Sequence, residues 1–299
     1  MRCEKGCSPK KFVERQWTGP KLHGDWKGDF AMIEMVIALA IVGAVAGVIA
    51  GLFGVGGGMI LVPAFYYAFT TLGYAHQDLM QICLATSLAT IVVTSLRSLS
   101  AHNKRGGVDW DVLRTWAPGI MIGALVSVAF AAQLRSSTLQ WIFGGLGMCI
   151  GLYMAFGKTG WRVADDMPTG LLRAIYSPLL GFFSVLMGIG GGSLGVPTMT
   201  LHGMTIHRAV ATSSGFGLLI AVPSVLGFFF VSLDPMLRPP MTAGAVNLAA
   251  FGLIIAMTLV TTPLGVALAH KMEAAKLKRF FAIFLVFVAA NMLRKAMGY

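Results

Sequence analysis

The sequence contains little charge. Only 12% of its 299 residues are Asp, Glu, Lys or Arg, whereas an average soluble domain has about 25%. The hydrophobic share is 56% and the mean hydropathy is +0.76. A soluble protein of this size needs charge to cover its surface, and a disordered chain needs low hydrophobicity. The composition therefore excludes an ordinary cytosolic enzyme and a disordered protein, and it predicts a membrane protein that crosses the bilayer several times.

The chain also lacks the patterns of metal, disulfide and nucleic-acid sites. No second closely spaced cysteine pair completes a zinc site with Cys3 and Cys7, and the other two cysteines are Cys83 and Cys149. The net charge of +11 comes from 23 basic and 12 acidic residues, but no basic run alternates with aromatics. We therefore expect no metal, no cofactor and no nucleic-acid partner, and we assign the excess cations to cytoplasmic loops.

Stretches without any charge locate the membrane segments. The first one, residues 35–75, would form about 60 Å of helix, twice the thickness of a bilayer core, so it has to break near its glycines. The others are residues 79–96, 115–134, 136–157, 174–206, 209–233, 239–269 and the short 280–293. They predict an all-α fold, a polytopic transmembrane helix bundle of about eight spans. Residues 1–30 are polar and predict a disordered cytoplasmic tail, not a cleaved signal peptide.

A glycine-rich motif occurs twice. Residues 54–63 read GVGGGMILVP and residues 188–197 read GIGGGSLGVP, so that four glycines, one valine and one proline coincide. Each copy is followed by Ala-Thr-Ser, at residues 85–87 and 211–213. The repeat predicts two homologous transmembrane halves, whose bounds are 31–157 and 174–299 with a polar linker at 158–173. Paired halves are the usual architecture of secondary transporters.

Glycine in a membrane helix often serves only close helix packing. A Gly-x-Gly-Gly-Gly string is nevertheless a poor helix interior, because each glycine costs about 1 kcal/mol relative to alanine. Its occurrence at the same place in each half favours a broken or re-entrant helix. We expect short helices to begin at Met59 and Ser193 and to be opened by the helix-break prolines Pro63 and Pro197.

The motif GLFGVGGGMILVP, its second copy and the two Ala-Thr-Ser segments resemble the TauE/SafE family of sulfite and sulfonate exporters, also called the toluene sulfonate uptake permease family. The resemblance covers residues 34–299, and the doubled motif is specific for the family but not for a substrate. It implies a secondary transporter of a small anion, most simply sulfite or an organosulfonate, in the cell inner membrane. The alternative is a non-transporting membrane scaffold or assembly protein, and a homo-oligomer is compatible with either.

Unpaired backbone amides at a helix break can bind an anion, and a helix N-terminus adds the positive end of its dipole. We therefore predict one anion site where the two breaks meet. Hydroxyls after the breaks could donate to substrate oxygens or bond back to their own helix, and Asn247 could bind substrate or join helices. The predicted substrate-binding residues are Gly56, Gly57, Gly58, Gly190, Gly191, Gly192, Thr86, Ser87, Thr212, Ser213 and Asn247, with Ser214 beside them.

Acidic side chains are missing from the interior of the predicted spans. Proton pumps and cation transporters usually carry buried carboxylates, so this absence favours an anion as substrate. Proton coupling would then depend on His202 or His207, for which an ordinary loop position is the alternative. No Ser-His-Asp, HExxH or Walker pattern is present, and we expect no enzymatic activity.

The distribution of Lys and Arg leaves one conflict in the topology. With a cytoplasmic N-terminus and two re-entrant short helices, the loop at Lys104 and Arg105 and the linker 158–173 lie inside. The cations at residues 271–279 then lie outside. A fully spanning second short helix would bring them inside but would put the C-terminus outside. We keep the eight-span arrangement that the resemblance implies.

Overall fold

The computed structural model describes residues 26–53, 57–156, 162–234, 237–269, 271 and 273–298. This part of the chain contains ten helices. Those before the linker are α1 (Trp26–Phe53), α2 (Gly58–Thr71), α3 (Leu79–Asn103), α4 (Trp110–Ala131) and α5 (Ser136–Phe156). Those after it are α6 (Gly170–Leu186), α7 (Gly192–Leu201), α8 (Ile206–Phe229), α9 (Leu248–Ala269) and α10 (Ala274–Ala296). A two-residue antiparallel pairing of β1 (Thr242–Ala243) with β2 (Val246–Asn247) precedes α9.

Five of the described helices are long and apolar enough to cross a membrane: α3, α4, α5, α8 and most of α9. Shorter apolar helical stretches lie in α1, α2 and α6. α3 and α8 are buried over most of their length and form the centre of the bundle, with the other helices around them. The prediction of an all-helical fold with several apolar helices of membrane length is thereby confirmed. α1 begins at Trp26, so residues 26–30 are helical and do not belong to the predicted tail.

Helices of one half pack on helices of the other half in matching pairs. α1 packs on α9, and the equivalent contact joins α6 to α4. α3 packs on α8 and α5 on α10, each helix against its own counterpart. α3 also packs on α9, as α8 does on α4. If each helix is replaced by its equivalent in the other half, the same set of contacts is obtained.

Close approaches at small residues give the relative directions of the paired helices. Gly43 of α1 lies against Ile254 of α9, and Gly51 lies against Thr262, so these two helices run parallel. α4 and α6, the equivalent pair, also run parallel. α3 and α5 run antiparallel to α8 and α10, respectively. Such glycine seams let the backbones of membrane helices approach closely.

The bundle has two ends, which we call face A and face B. Face A carries the connections at residues 72–78, 132–135 and 230–247. Face B carries the connections at residues 104–109, 162–169 and 202–205.

The first short helix turns back toward face A. Gly57, at the start of α2, lies against Ala46, about two helical turns before the end of α1. At the other end of α2, Tyr66 and Tyr67 contact the ammonium of Lys295, close to the end of α10. α3 then starts from face A. α1 and α2 therefore form a hairpin that enters the bundle from face A and returns to it.

The second short helix turns back toward face B. The N–H of Val163, in the linker before α6, donates to the carbonyl of Leu201 at the end of α7, at 2.8 Å. Gly203 lies against the backbone of Asp165. α6 and α7 therefore form a hairpin that opens on face B, opposite to the first one. The two halves are related as an inverted repeat.

This arrangement corrects the predicted topology in two respects. α1 starts on face A, whereas Lys104 and Arg105 lie on face B. The start of the first helix and that loop therefore lie on opposite faces and not, as predicted, on the same one. Arg105 donates to the carbonyl of Val266, which places the end of α9 and Lys271 on face B as well. The conflict over the cations at residues 271–279 therefore disappears. The described helices comprise the two hairpins, the five helices long and apolar enough to cross a membrane, and α10.

Candidate functional site

The two glycine strings meet inside the bundle. Gly58, the first residue of α2, lies directly against the carbonyl oxygen of Gly188, which follows α6. The Ser87 hydroxyl on α3 donates to the same carbonyl at 2.8 Å. All three residues are buried. The structure thus brings the two breaks together, with Ser87 beside them, while the predicted Gly56 lies outside the described residues.

A left-handed glycine ends α6 at the second break. Gly188 has φ +57°, which a glycine adopts without strain. Its N–H donates to the Val185 carbonyl at 2.8 Å, and the Ile189 N–H donates to the Ser184 carbonyl at 3.0 Å. These two bonds close the last turn of α6. They leave the Gly188 carbonyl to accept from Ser87 of α3.

Both short helices begin with backbone amides that no side chain caps. α2 follows Gly57, which is left-handed at φ +75°, and α7 follows Gly191. The first amides of a helix have no partner inside that helix, and they lie at the positive end of its dipole. Gly190 and Gly192 are buried next to them. Amides of this kind can bind an oxyanion.

Packing also requires glycine at these positions. A Cβ at residue 191 would lie against the Phe216 side chain and 2.9 Å from the Ser213 carbonyl. A Cβ at residue 57 would lie 2.9 Å from the Ala46 carbonyl. A larger residue at either position would therefore push helices apart, whether or not a ligand binds there.

The two prolines do not open the short helices, which is a correction to their predicted role. Pro63 and Pro197 each lie at the sixth residue of their helix, and the glycines form the breaks. A proline inside a helix cannot donate to the carbonyl four residues earlier. The carbonyls of Met59 and Ser193, just after the breaks, therefore lose their usual helical donors.

The threonines of the two Ala-Thr-Ser segments have equivalent structural partners. The Thr86 hydroxyl accepts from the N–H of Asn247 at 2.9 Å, and the Thr212 hydroxyl accepts from the N–H of Asp109 at 2.9 Å. Asn247 and Asp109 immediately precede α9 and α4, which are themselves equivalent helices. Each threonine thus holds the start of a helix of the other half. Sequence reasoning assigned them to the substrate because their tertiary partners are distant in the chain.

Asn247 caps α9. Its side-chain oxygen accepts from the N–H of Ala250 at 2.9 Å, as an N-cap residue does. Its amide nitrogen donates to the Pro240 carbonyl at 2.9 Å and to the Thr242 hydroxyl at 3.0 Å. These bonds tie the β1–β2 turn to the start of the helix. Two roles were predicted for Asn247, binding substrate or joining helices. The structure shows a joining role, in which the side chain connects the β1–β2 turn to α9.

The serines near the breaks divide into two kinds. Ser213 and Ser214 donate to the carbonyls of their own helix, at 2.8 Å and 2.6 Å, as serines in apolar helices commonly do. Ser193, the second residue of α7, is 1% exposed, and its hydroxyl has no hydrogen-bond partner in the described part of the chain. Ser193 was predicted only as the start of the second short helix and not as a binding residue, although it follows the second glycine string directly.

The predicted histidines lie away from the breaks. His202 follows α7 on face B, with its Nδ1 2.7 Å from the Thr198 carbonyl, and His207 lies in the first turn of α8. Among the histidines that the structure describes, His102, near the end of α3, is the buried one, at 3% exposed. Sequence reasoning did not consider it, because it lies beyond Arg97 and outside the charge-free stretch.

Two inverted halves that share one bundle, with helix breaks meeting in its interior, define a class of protein: a multi-pass membrane transporter built from an inverted repeat. The sequence comparison gives the family. The description "Sulfite exporter TauE/SafE" matches residues 39–292. The chain belongs to the TauE/SafE sulfite exporter family, and the resemblance noted from the glycine motifs is confirmed.

Relatives that are similar in sequence occur in bacteria and archaea. A "Probable membrane transporter protein" of Haemophilus influenzae is 33% identical over 88% of this chain and 100% of its own length. The "Probable membrane transporter protein YunE" of Bacillus subtilis is 26% identical over 86% of this chain and 97% of its own. A probable membrane transporter protein of Methanocaldococcus jannaschii is 26% identical over 70% and 78%. No solved structure matches the chain.

Proposed function

We propose that this chain is a secondary transporter that binds a small anion, sulfite or an organosulfonate, at the junction of the two glycine breaks. One observation supports this most directly: the start of α2 touches the Gly188 carbonyl, so the α2 N-terminus lies at the second break, just before α7. Two helix N-termini at one place favour an anion over a cation.

The distribution of charge supports the same proposal. The acidic residues whose side chains the structure describes lie at helix ends and in connections on the two faces, as with Asp78, Asp109 and Asp234. No carboxylate among them lies beside the breaks. Met59, Val62 and Phe216 are buried around the junction. In such apolar surroundings, a hydrogen bond from an amide to an oxyanion is stronger than in water.

The residues around the junction would have different roles. The amides after Gly57 and Gly191 would donate to the substrate oxygens, and the unpartnered Ser193 hydroxyl would add a further donor. Ser87 would position the break through its bond to Gly188. Thr86, Thr212 and Asn247 would position the helices and would not touch the anion.

Reconstitution into liposomes tests the proposal. Purified protein should carry sulfite or a small organosulfonate faster than empty liposomes do. The Ser193→Ala variant should raise the KM about tenfold or more, because a charge-assisted hydrogen bond contributes about 1.5–3 kcal/mol. The matched control is Ser224→Ala, which removes a buried serine of α8 whose hydroxyl donates to its own helix. Its KM should remain that of the wild type.

Two results would contradict the proposal. If no anion of this class crosses faster than in empty liposomes, the scaffold alternative is favoured. If flux is present but Ser193→Ala and Ser224→Ala have the same KM, the site lies elsewhere. Valine at Gly57 or Gly191 is a weaker test, because the packing at both positions makes such variants unfold for structural reasons.

We also propose that face B is cytoplasmic. Face B and its helix ends carry Lys104, Arg105, Arg114, Arg162, Arg173, Arg208, Lys271 and Arg279, whereas face A carries Arg135, Arg238, Arg294 and Lys295. Lys and Arg accumulate on the cytoplasmic side of membrane proteins. Both ends of the described chain would then lie on the opposite side, on the outside of the inner membrane. Alkaline phosphatase fused to the C-terminus should be active, and the enzyme inserted at Lys104 should not. The reverse pattern would show face A to be cytoplasmic.

A further inference from the structure

One side of α3 carries a row of serines that runs from the glycine junction toward face B. Ser87, Ser95 and Ser98 lie within about a quarter turn of one another on this helix. Ser87 contacts the second break through Gly188. α3 ends on face B, so Ser95 and Ser98 lie progressively closer to that face.

The hydroxyls of Ser95 and Ser98 are buried without a hydrogen-bond partner among the described residues, at 1% and 2% exposed. A helical serine can reach a carbonyl of its own preceding turn, and Ser213, Ser214 and Ser224 of α8 do so. Ser95 and Ser98 do not form this bond. Buried hydroxyls need partners, and ordered water is the usual one when no protein group is present.

Ser95 is also adjacent to the second break. Its hydroxyl lies against Gly217 of α8, and a Cβ at Gly191 would lie 3.0 Å from the nitrogen of the same Gly217. Ser95 and the start of α7 thus meet on the two sides of one glycine. Ser193, two residues further along α7, has an unpartnered buried hydroxyl as well. The row of hydroxyls on α3 therefore begins at the proposed substrate site.

The equivalent stretch of α8, in the other half, lacks such a row of unpartnered hydroxyls. The match between the two Ala-Thr-Ser segments aligns Ser95 with Ala221 and Ser98 with Ser224, which bonds back to its own helix. It also aligns the buried His102 with Phe228. Because α8 runs opposite to α3, this apolar version leads from the junction toward face A. The two routes out of the junction therefore differ in polarity.

We propose that Ser95 and Ser98 line a hydrated passage that connects the glycine junction with face B, and that the equivalent route along α8 is closed in this conformation by Ala221 and Phe228. The inference rests on the proposed transport function, because the passage would serve that transport, but the positions of the serines do not depend on it. The passage opens where Lys104 and Arg105 lie, and cations at its mouth raise the local concentration of an anion. Substrate exchange in this conformation takes place at face B.

Cysteine accessibility tests the passage directly. Ser95→Cys and Ser98→Cys are made in a chain whose native cysteines are replaced, with Ser224→Cys as the matched control on α8. The probe is 2-sulfonatoethyl methanethiosulfonate, which is anionic and does not cross membranes. Lys104→Cys reports reagent at face B and Arg135→Cys reports reagent at face A. Modification is followed by mass in vesicles of each orientation.

The two α3 cysteines should react at least about tenfold faster than Ser224→Cys, because burial in apolar surroundings suppresses thiolate formation by about tenfold for each pKa unit. They should react only in the vesicles that modify Lys104→Cys. Rates equal to that of Ser224→Cys, or reaction only in the vesicles that modify Arg135→Cys, would overturn the proposal. Anion flux without this labelling refutes the passage alone. Labelling without flux of any anion supports the passage and refutes the transport function.

Discussion

Variants of Asn247 distinguish most clearly between a structural role and a substrate-binding role of a predicted site residue. Replacing it with alanine removes the cap on Ala250 and the two donor bonds to Pro240 and Thr242. Loss of an N-cap costs about 1 kcal/mol, and each neutral hydrogen bond contributes about 1 kcal/mol. Together they predict that Asn247→Ala lowers the free energy of unfolding by about 3 kcal/mol, provided that the three effects add.

Asn247→Asp changes only part of this set. The carboxylate keeps the capping bond and gains from the positive end of the α9 dipole, by about 0.3–1 kcal/mol. The two donor bonds are lost, so the net cost should be about 1–2 kcal/mol. The order of stability is therefore wild type, Asn247→Asp, Asn247→Ala. The measurement is the melting temperature in detergent, which should fall by about 2–4 °C for each kcal/mol in a domain of this size.

A substrate-binding Asn247 would give the reverse order in transport. A carboxylate would repel an anion, so Asn247→Asp would be the more damaging variant for the KM, while both melting temperatures stayed within about 1 °C of the wild type. That result would refute the capping role. Gln133→Ala serves as the control, because it removes an exposed amide that bonds only within its own helix turn; neither quantity should change.

Three further predictions concern the packing of the breaks, the ion pair on face B and the response to acid. Gly58→Ala forces a methyl group against a backbone carbonyl and should lower the free energy of unfolding by about 1–3 kcal/mol. The control is Gly145→Ala, whose methyl group meets nothing within 4 Å, so its melting temperature should be the same as that of the wild type or higher. If both variants lost the same amount of stability, the tight junction at Gly58 would be contradicted. Arg208→Met breaks a 3.0 Å ion pair with Asp109, but because the arginine is mostly exposed, the change should stay below about 1 kcal/mol and shrink further in high salt; a large, salt-independent loss would show a buried network instead. Burial lowers the pKa of His76 in spite of two nearby aspartates, and its Nδ1 accepts a backbone N–H. Because protonation of His76 therefore disfavours the folded state, the melting temperature should fall as the pH drops below about 6.5. The His76→Gln variant should show a weaker pH dependence of the melting temperature, and an unchanged dependence would assign the effect to another group.

The sequence was sufficient for the helices, the internal repeat and the two breaks, because charge-free stretches and repeated glycines are local signals. It was insufficient for the pairing of the helices. α1 packs on α9 and α4 on α6, and such contacts across the two halves leave no mark in the charge pattern. The predicted sidedness was wrong for this reason, because the charge pattern alone placed the start of α1 and the loop at Lys104 on the same face.

The same limit applies to the candidate site. Thr86 and Thr212 were recognised as important, but the structure shows their hydroxyls accepting from helix starts far away in the chain. Asn247 looked like a polar group inside an apolar stretch, whereas it stands at the end of a turn. Ser193 and Ser95 could not be distinguished from other serines, because whether a serine bonds to its own helix depends on its rotamer.

The pairing of α1 with α9 has a consequence during synthesis. About two hundred residues separate the end of α1 from the end of its partner, and at about 5–20 residues per second the ribosome needs roughly 10–40 s to produce them. Throughout that time the glycine seam of α1 has no partner, and it has to remain in the lipid or be sheltered by the insertion machinery. The α4–α6 seam forms much sooner, because few residues separate those helices. The contact between α4 and α6 can therefore form before the contact between α1 and α9, although α1 is the first of the described helices to be synthesised.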